Sequence, residues 1–191
     1  MATQSQPDEP LAARAAAGDA SAFEELVRRY QSSLLNFCYR MLGDPDDAAD
    51  AAQQSLVQAY LHLPRTRLDL PFRPWLYRIA RNQCLDRLRA RRTVGLPEPG
   101  DDDEDDRAPG ALLADPTPLP EELAERRDLQ RLLGEAIGSL PERYRAVVAL
   151  RYVTDLTFAE IGQSLGLPEN TVKTFFQRAK ALLRDYLRER L

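Results

Sequence analysis

An acidic segment near the middle of the chain divides the sequence into two parts. Residues 93–120 are rich in proline, glycine and carboxylate side chains, and they include the run DDDEDD at positions 101–106. A segment of this composition cannot bury enough apolar surface to fold by itself, and its like charges keep it extended. We therefore predict a flexible acidic linker between an N-terminal unit, residues 10–92, and a C-terminal unit, residues 121–191. Residues 1–9 are predicted to be disordered.

Because the linker is strongly acidic, the net charge of the whole chain does not reflect the basic charge of the two units. The whole chain has a net charge of −4. Residues 93–125 contain eleven acidic side chains and one arginine, whereas residues 1–92 have an excess of two basic side chains and residues 126–191 an excess of four. Two basic units are compatible with a nucleic-acid partner, which the overall acidic balance would not suggest.

Several functional classes find no support in the composition. No apolar run approaches the roughly 18 residues that a membrane span needs, and the N-terminus MATQSQPDEP has neither the basic start nor the apolar core of a secretory signal. Cys38 and Cys84 are far apart and His62 is the one histidine, so we expect core thiols in a reducing cytosol rather than a zinc site or disulfides. Without a glycine-rich phosphate loop or a ligand cluster, we expect no enzyme, metal or cofactor.

Helical periodicity predicts an all-α fold for the N-terminal unit. The predicted helices cover residues 10–18, 21–42, 45–62 and 75–92. Ser21 and Glu24 have the spacing of a capping box at the start of the second helix. The three prolines of residues 63–74 predict a loop before the last helix.

The third predicted helix has a polar face near its acidic start. Asp47, Asp50, Gln53 and Gln54 lie together on this face, opposite the alanines of the helix. The pattern allows two interpretations. The face is either a solvated helix start that complements the helix dipole or a docking surface for a basic partner.

The helix of residues 75–92 has a basic face. The side chains on this arc are Arg78, Arg81, Asn82, Arg89 and Arg92. Trp75 lies on the edge of the arc, at i, i+3, i+7 spacing with Arg78 and Asn82. Arginine binds phosphate, an amide binds a base edge and an aromatic ring stacks on an unpaired base. The face suits a nucleic-acid strand, although the solvated side of an ordinary amphipathic helix has the same pattern.

A short helix, a glycine turn and a longer helix predict a helix-turn-helix in the C-terminal unit. The predicted helices cover residues 121–138, 142–153, 157–165 and from 169 or 170 to the C-terminus, where Glu169 or Asn170 is the expected cap. Two capping boxes are predicted, Ser139 with Glu142 and Thr157 with Glu160. Ala159 supplies a small side chain where the two helices approach.

The last helix has an apolar arc and a polar arc. Lys173, Thr174, Gln177 and Arg178 face away from the apolar side and suit a DNA major groove. A plain helical hairpin is the alternative.

Three blocks together resemble the bacterial sigma factors of the extracytoplasmic-function group. GDPDDAADAAQQSLVQAY at 43–60 resembles the segment with which that family docks on RNA polymerase. FRPWLYRIARNQCLDRLRARR at 72–92 resembles its segment for promoter melting and −10 recognition. LPERYRAVVALRYVTDLTFAEIGQSLGLPENTVKTFFQRAKALLR at 140–184 resembles its −35-binding domain. The blocks follow the family's order, with a linker where the family has one.

The resemblance implies a specificity subunit without catalysis of its own, built from two small helical domains, the four-helix region 2 and the helix-turn-helix region 4. The implied partners are core RNA polymerase, through its β′ clamp helices, promoter DNA and an anti-sigma factor, with no membrane insertion. The loop of residues 63–74 would hold a base flipped out of the −10 element, which compensates for the cost of unstacking it. The acidic linker would thread along the RNA path of the polymerase.

The resemblance also implies roles for individual residues. Polymerase docking is assigned to Asp47, Asp50, Gln53 and Gln54. Contacts with the −10 element are assigned to Trp75, Arg78, Arg81, Asn82 and Arg89. Contacts with the −35 element are assigned to Thr171, Lys173, Thr174, Gln177 and Arg178. Two positions depart from the family: Gln54 stands where glutamate is usual, and Phe175 stands where a basic residue is common.

A stand-alone helix-turn-helix regulator is the competing hypothesis. In that case the N-terminal unit binds a ligand or dimerises, and the protein binds its operator tightly without polymerase. A sigma factor instead binds promoter duplex weakly alone and directs transcription only with core polymerase.

Overall fold

The computed structural model describes residues 7–65, 70–94 and 131–190. These residues form an all-α structure, as the periodicity predicts. The helices are α1 (Asp8–Ala16), α2 (Ala20–Leu42), α3 (Pro45–His62), α4 (Phe72–Val94), α5 (131–138), α6 (Glu142–Val153), α7 (Phe158–Leu165) and α8 (Glu169–Arg188), with one turn of 3-10 helix at Leu63–Arg65. The predicted acidic linker and most of the 121–138 helix lie outside the described residues.

The starts of two helices differ from the capping boxes that the sequence predicts. At the start of α2 the cap is Asp19, whose carboxylate accepts from the Ala22 amide at 3.2 Å, and the Ser21 hydroxyl donates to the same carboxylate at 2.7 Å. At the start of α6 the Ser139 hydroxyl donates backward to the Ala136 carbonyl at 2.8 Å. The capping boxes at Ser21 and Ser139 are therefore wrong, because α2 begins before Ser21, at Ala20, and α6 begins three residues after Ser139, at Glu142.

The third predicted capping box is confirmed. The Glu160 amide donates to the Thr157 hydroxyl at 3.2 Å, and the Thr157 amide donates to the Glu160 carboxylate at 2.8 Å. Two donors at the start of α7 are thus satisfied reciprocally. The last helix follows Pro168 without a side-chain cap, so the predicted cap at Glu169 or Asn170 is wrong.

The core of the N-terminal half forms around α2, which packs against α1, α3 and α4. Phe37 of α2 is fully buried and contacts the Tyr77 ring of α4 in an edge-to-face pair with centroids 5.5 Å apart. Cys38 and Cys84 are buried free thiols, as predicted. A hydrogen bond with Cys38, together with burial, raises the pKa of Cys84, so the thiol stays protonated.

Helix α4 begins three residues earlier than predicted. Pro74 lies in its first turn, where the missing amide of proline costs no intrahelical hydrogen bond. The Trp75 amide already donates to the Pro71 carbonyl at 3.2 Å. The prolines of the predicted loop therefore do not delay the helix until Trp75.

The turn between α7 and α8 depends on two glycines. A Cβ atom on Gly162 would lie 2.6 Å from the Leu167 carbonyl oxygen, too close for any side chain without movement of the backbone. Gly166 adopts φ 68°, the left-handed conformation that ends α7. Ala159 is exposed, so the predicted close approach at this residue is wrong and occurs at Gly162 instead.

The two halves pack against each other. Helix α2 contacts α6, and α4 contacts α7. Arg145 of α6 is 4 % exposed, and its guanidinium donates to the Met41 carbonyl of α2 at 2.9 Å and to the carbonyls of Gly138 at 2.6 Å and Leu140 at 2.8 Å. One buried cation thus joins the end of α2 to the start of the C-terminal half, where helix carbonyls lack intrahelical donors.

Candidate nucleic-acid interface

The polar arc of α8 faces solvent along most of the helix. Lys173, Thr174, Gln177 and Arg178 are exposed and Thr171 is half-buried. The opposite side packs into the core through Val172, Phe176 and Ala179. A helix of this kind can place donors in a major groove while its apolar side is held by α6 and α7.

Local contacts constrain several of the exposed α8 side chains. The Lys173 ammonium lies 2.7 Å from a Glu169 carboxylate oxygen, and the Thr174 hydroxyl donates to the Asn170 carbonyl at 2.9 Å. The charge and proximity of Arg178, and to a lesser extent of Arg143, lower the pKa of Tyr144 below its ordinary value.

Phe175 packs inward rather than standing alone on the surface. Its ring is half-buried and meets the Tyr144 ring edge-on, with the centroids 5.4 Å apart and the planes at 75°. Phe175 thus packs α8 against the start of α6.

The basic arc of α4 is exposed at three of its predicted positions. Arg78, Asn82 and Arg89 face solvent, and Arg89 lies 3.3 Å from the Asp86 carboxylate. Arg81 is half-buried; burial and the nearby charge of Arg89 lower its pKa, whereas Glu142 of the other half raises it. Arginine remains charged at neutral pH nonetheless, so the arc can still bind phosphate.

Trp75 does not lie on the exposed edge that its spacing predicts. The indole is 5 % exposed and contacts the Phe72 ring, with centroids 5.9 Å apart. Phe72 in turn contacts Tyr30 of α2, because α1 and α2 cover the first turns of α4. In this conformation the indole cannot stack on a base, and the exposed edge consists of Arg78 and Asn82.

The polar face of α3 is partly occupied by arginines of α4. Asp47 accepts from Arg87 at 3.3 Å and from Arg91, and Asp50 lies 3.8 Å from Arg87 but remains 69 % exposed. Gln53 and Gln54 are exposed. The face therefore presents one paired carboxylate, one accessible carboxylate and two amides.

Sequence reasoning missed an apolar extension of this face. Val57 and Leu61 are 43 % and 54 % exposed, and they follow Asp50 and Gln54 at the spacing of one helix face. It also missed the ion pairs of Arg87 and Arg91 with Asp47 of α3. Asp47 lies forty or more residues from these arginines in the sequence, so no local signal identifies the pairing.

Within residues 7–65, 70–94 and 131–190, no helix combines the length and apolar character required to cross a membrane. In the same ranges no group of three or more His, Cys, Asp or Glu side chains could hold a metal ion.

Comparison with known proteins gives matches to two family models, one in each half of the chain. The model of sigma-70 region 2 matches residues 26–94, and the model of sigma-70 region 4 matches residues 130–183. The chain is 35% identical over 177 residues to the ECF RNA polymerase sigma factor SigW of Bacillus subtilis, covering 90% of this chain and 92% of that protein. It is 33% identical over 182 residues to the RNA polymerase sigma-H factor of Pseudomonas aeruginosa, covering 94% and 93% of the two chains.

Solved structures agree in fold. CnrH in complex with the cytosolic domain of CnrY superimposes with a TM-score of 0.71 at 28% identity, over 95% of this chain and 97% of that one. RpoE of Bartonella quintana, solved with the anti-sigma factor NepR, superimposes with a TM-score of 0.65 at 17% identity, over 87% and 96%.

Proposed function

The chain belongs to the sigma-70 family, as a sigma factor of the extracytoplasmic-function type that directs transcription initiation, and we propose how its surfaces divide that task. Residues 10–92 act as region 2, which docks on core polymerase and opens the −10 element. Residues 121–191 act as region 4, which binds the −35 element, and residues 93–120 connect them.

The observation that carries the proposal is the order of the two family matches, together with the exposure of α3, α4 and α8. Each of these helices presents polar or charged side chains to solvent on the side opposite its packed face. The basic arcs belong to the helices assigned to DNA, and the carboxylates of α3 suit the basic groups of a protein partner.

For polymerase docking, we assign the accessible part of the α3 face. Asp50, Gln53 and Gln54 are free of the α2 core, and Val57 and Leu61 extend the surface with apolar area. Asp47 positions Arg87 and Arg91 as well as contributing its charge. A polar rim around an apolar centre is the usual anatomy of a protein interface. The partner is the β′ clamp helices of core polymerase.

For the −10 element, we assign Arg78 and Asn82 to the opened strand and Arg81 and Arg89 to its phosphates. Arg78 and Asn82 share the exposed edge of α4, so one strand can meet both. Trp75 stays a predicted stacking residue that must leave its packed site to reach a base. The base pocket predicted for residues 63–74 includes residues 66–69, which lie outside the described residues.

For the −35 element, we assign Lys173, Thr174, Gln177 and Arg178, with Thr171 at the helix start. Arginine and glutamine read base edges in the major groove, and lysine binds phosphate as a point charge.

We also propose an anti-sigma factor as a regulatory partner, with the cytoplasm as the compartment in which polymerase is met. The relative CnrH was solved with the cytosolic domain of CnrY, which supports a protein ligand of this kind.

A transcription experiment tests the division of tasks. In the Arg178→Ala holoenzyme, the free energy of binding to the −35 element should weaken by about 1–3 kcal/mol if the guanidinium contacts a base, and by less if it contacts phosphate. Its preference at the −10 element should be unchanged. Tight, polymerase-independent operator binding, with no effect of the chain on core polymerase, would favour the stand-alone regulator.

A further inference from the structure

We propose that Asp47 is a positioning residue for promoter opening: through Arg87 and Arg91 it fixes the direction of the basic arc of α4 relative to the polymerase-docking helix α3. The inference rests on the proposed functions of α3 and α4, and it gives one residue of the docking face a second task that does not involve polymerase itself.

One carboxylate of α3 binds two guanidiniums of α4. One oxygen of Asp47 lies 3.3 Å from an Arg87 nitrogen, and Arg91 donates to the other oxygen. The remaining terminal nitrogen of Arg91 donates to the Leu42 carbonyl at 3.1 Å, at the end of α2. Arg91 therefore joins α4 to both α2 and α3, and Asp47 holds it in the position where both contacts are made.

The two anchored arginines lie on the side of α4 that is opposite to its basic arc. Arg87 and Arg91 are four residues apart, so they share one face of the helix, and that face is turned toward α3. At 100° per residue, the exposed Arg78, Asn82 and Arg89 lie about 180° away around the helix axis. A rotation of the last turns of α4 that breaks the ion pairs would therefore also turn the exposed arc away from its direction.

The position of the network suits an orienting role better than a purely stabilising one. The side chains of Asp47, Arg87 and Arg91 are about one-third exposed, at 32 %, 30 % and 40 %. Ion pairs with this exposure contribute little each to the free energy of unfolding, although a network restricts the geometry of its members. Because Asp47 lies on the proposed docking face, a polymerase bound to α3 would hold the arc of α4 through the same side chain.

A double-mutant cycle on the holoenzyme tests the proposal. The four proteins are wild type, Asp47→Asn, Arg91→Met and the double variant, each titrated onto core polymerase with promoter DNA selected by the wild type. The chain concentration for half-maximal opening measures docking. The ratio of open to closed promoter at saturating chain measures positioning, because excess chain compensates for weak docking or partial unfolding.

Asp50→Asn is the matched control for Asp47→Asn. It removes one charge from the same face, but Asp50 is 69 % exposed and lies 3.8 Å from Arg87, so it contributes less to the network. We expect Asp50→Asn to raise the half-maximal chain concentration and to leave the open-to-closed ratio at saturation unchanged.

We expect Asp47→Asn and Arg91→Met each to lower the open-to-closed ratio at saturation about 3- to 10-fold, and the double variant to be no worse than the more impaired single variant. Losses that multiply in the double variant would mean that Arg91 acts independently of Asp47, which would overturn the positioning role.

Two other outcomes separate this inference from the proposed function. If the wild-type holoenzyme opens its promoters normally and Asp47→Asn behaves like Asp50→Asn, Asp47 is a docking charge and the positioning role alone is refuted. If the wild-type holoenzyme shows no promoter-selective opening, the proposed function fails and the positioning role fails with it.

Discussion

The contact between Arg145 and Met41 predicts how the two halves separate. Replacing Arg145 with methionine keeps most of the apolar stem and removes three hydrogen bonds to carbonyls, at 2.9, 2.6 and 2.8 Å. Of these three bonds, the one to Met41 crosses between the halves. The other two hold the chain at Gly138 and Leu140, inside the C-terminal half.

The magnitude follows from the charge of the donor. A hydrogen bond from a charged group contributes about 1.5–3 kcal/mol, so loss of the Met41 bond shifts the equilibrium between packed and separated halves about 10- to 150-fold. The loss of the other two bonds lowers the stability of the C-terminal half. Part of this loss is offset because the buried methionine, unlike the buried guanidinium, has no charge to desolvate. We therefore expect Arg145→Met to shift the equilibrium toward separated halves more strongly than its small change in the free energy of unfolding would suggest.

If α4 binds the −10 element and α8 the −35 element, as proposed, the halves must separate for promoter binding. Helix α7 contacts both α4 and α8, and packed helix axes lie about 8–10 Å apart, so the two DNA-facing helices approach within about 20 Å. The −35 and −10 elements are about 25 base pairs apart, which is ~85 Å along the duplex at 3.4 Å per pair. The 20 residues of α8 add only ~30 Å of reach. The packed arrangement thus cannot hold both elements at once.

Small-angle X-ray scattering of the free chain measures the separation. We expect a larger radius of gyration for Arg145→Met than for the wild type. The control is Arg151→Met, since Arg151 lies on the same helix and donates to Leu156 at 2.8 Å, entirely within the C-terminal half. That variant should unfold more easily without expanding. Identical scattering from Arg145→Met and wild type, with only a lower unfolding midpoint, would refute the role of Arg145 as a link between the halves.

Three further predictions concern single residues. Asn82→Ala should impair −10 discrimination in transcription assays while co-purification with core polymerase is unchanged; loss of polymerase binding would refute the assignment. Gly162→Ala should lower the free energy of unfolding by about 1–3 kcal/mol in urea titrations, because its Cβ would lie 2.6 Å from the Leu167 carbonyl oxygen, and unchanged stability would contradict this geometry. Hydrogen bonds from Ser21 and Arg14 lower the pKa of Asp19 to about 2 from 3.8. Its stabilising contribution should therefore be complete above pH 4 and be lost as the pH falls toward 2. The stability difference between wild type and Asp19→Asn, followed by circular dichroism, should shrink over that range, and a constant difference would exclude the mechanism.

Local signals predicted most of the helices. The glycine at position 43, in the left-handed conformation at φ 71°, ends α2, and Pro45 opens α3 at the predicted residue. These features act through the backbone of their own residues, so the sequence suffices. The predicted capping box at Ser21 fails because Asp19, two residues earlier, caps α2 through the Ala22 amide, and spacing alone does not rank two neighbouring candidate caps.

The tertiary contacts of charged side chains were beyond sequence reasoning. Arg145 shares the buried side of α6 with Val148 and Ala149, which marks it as a buried cation, but nothing local identifies Met41 as its partner 104 residues away. Trp75 was misplaced for a related reason. A helical wheel assigns one environment to a whole face, whereas Trp75 packs in the first turns of α4 beside Phe72, which in turn contacts Tyr30 of α2.

Promoter selection by the reconstituted holoenzyme tests the central claim most directly. Core RNA polymerase and the full chain are incubated with a library of DNA fragments randomised upstream of a run-off template, and the transcribed fragments are sequenced. We predict transcripts only when both components are present, from fragments that share two elements at one fixed spacing. The contrary result has two parts: the transcripts are the same with and without the chain, and the chain alone binds one duplex element tightly. That result would contradict a sigma factor whose α4 and α8 act together on one promoter.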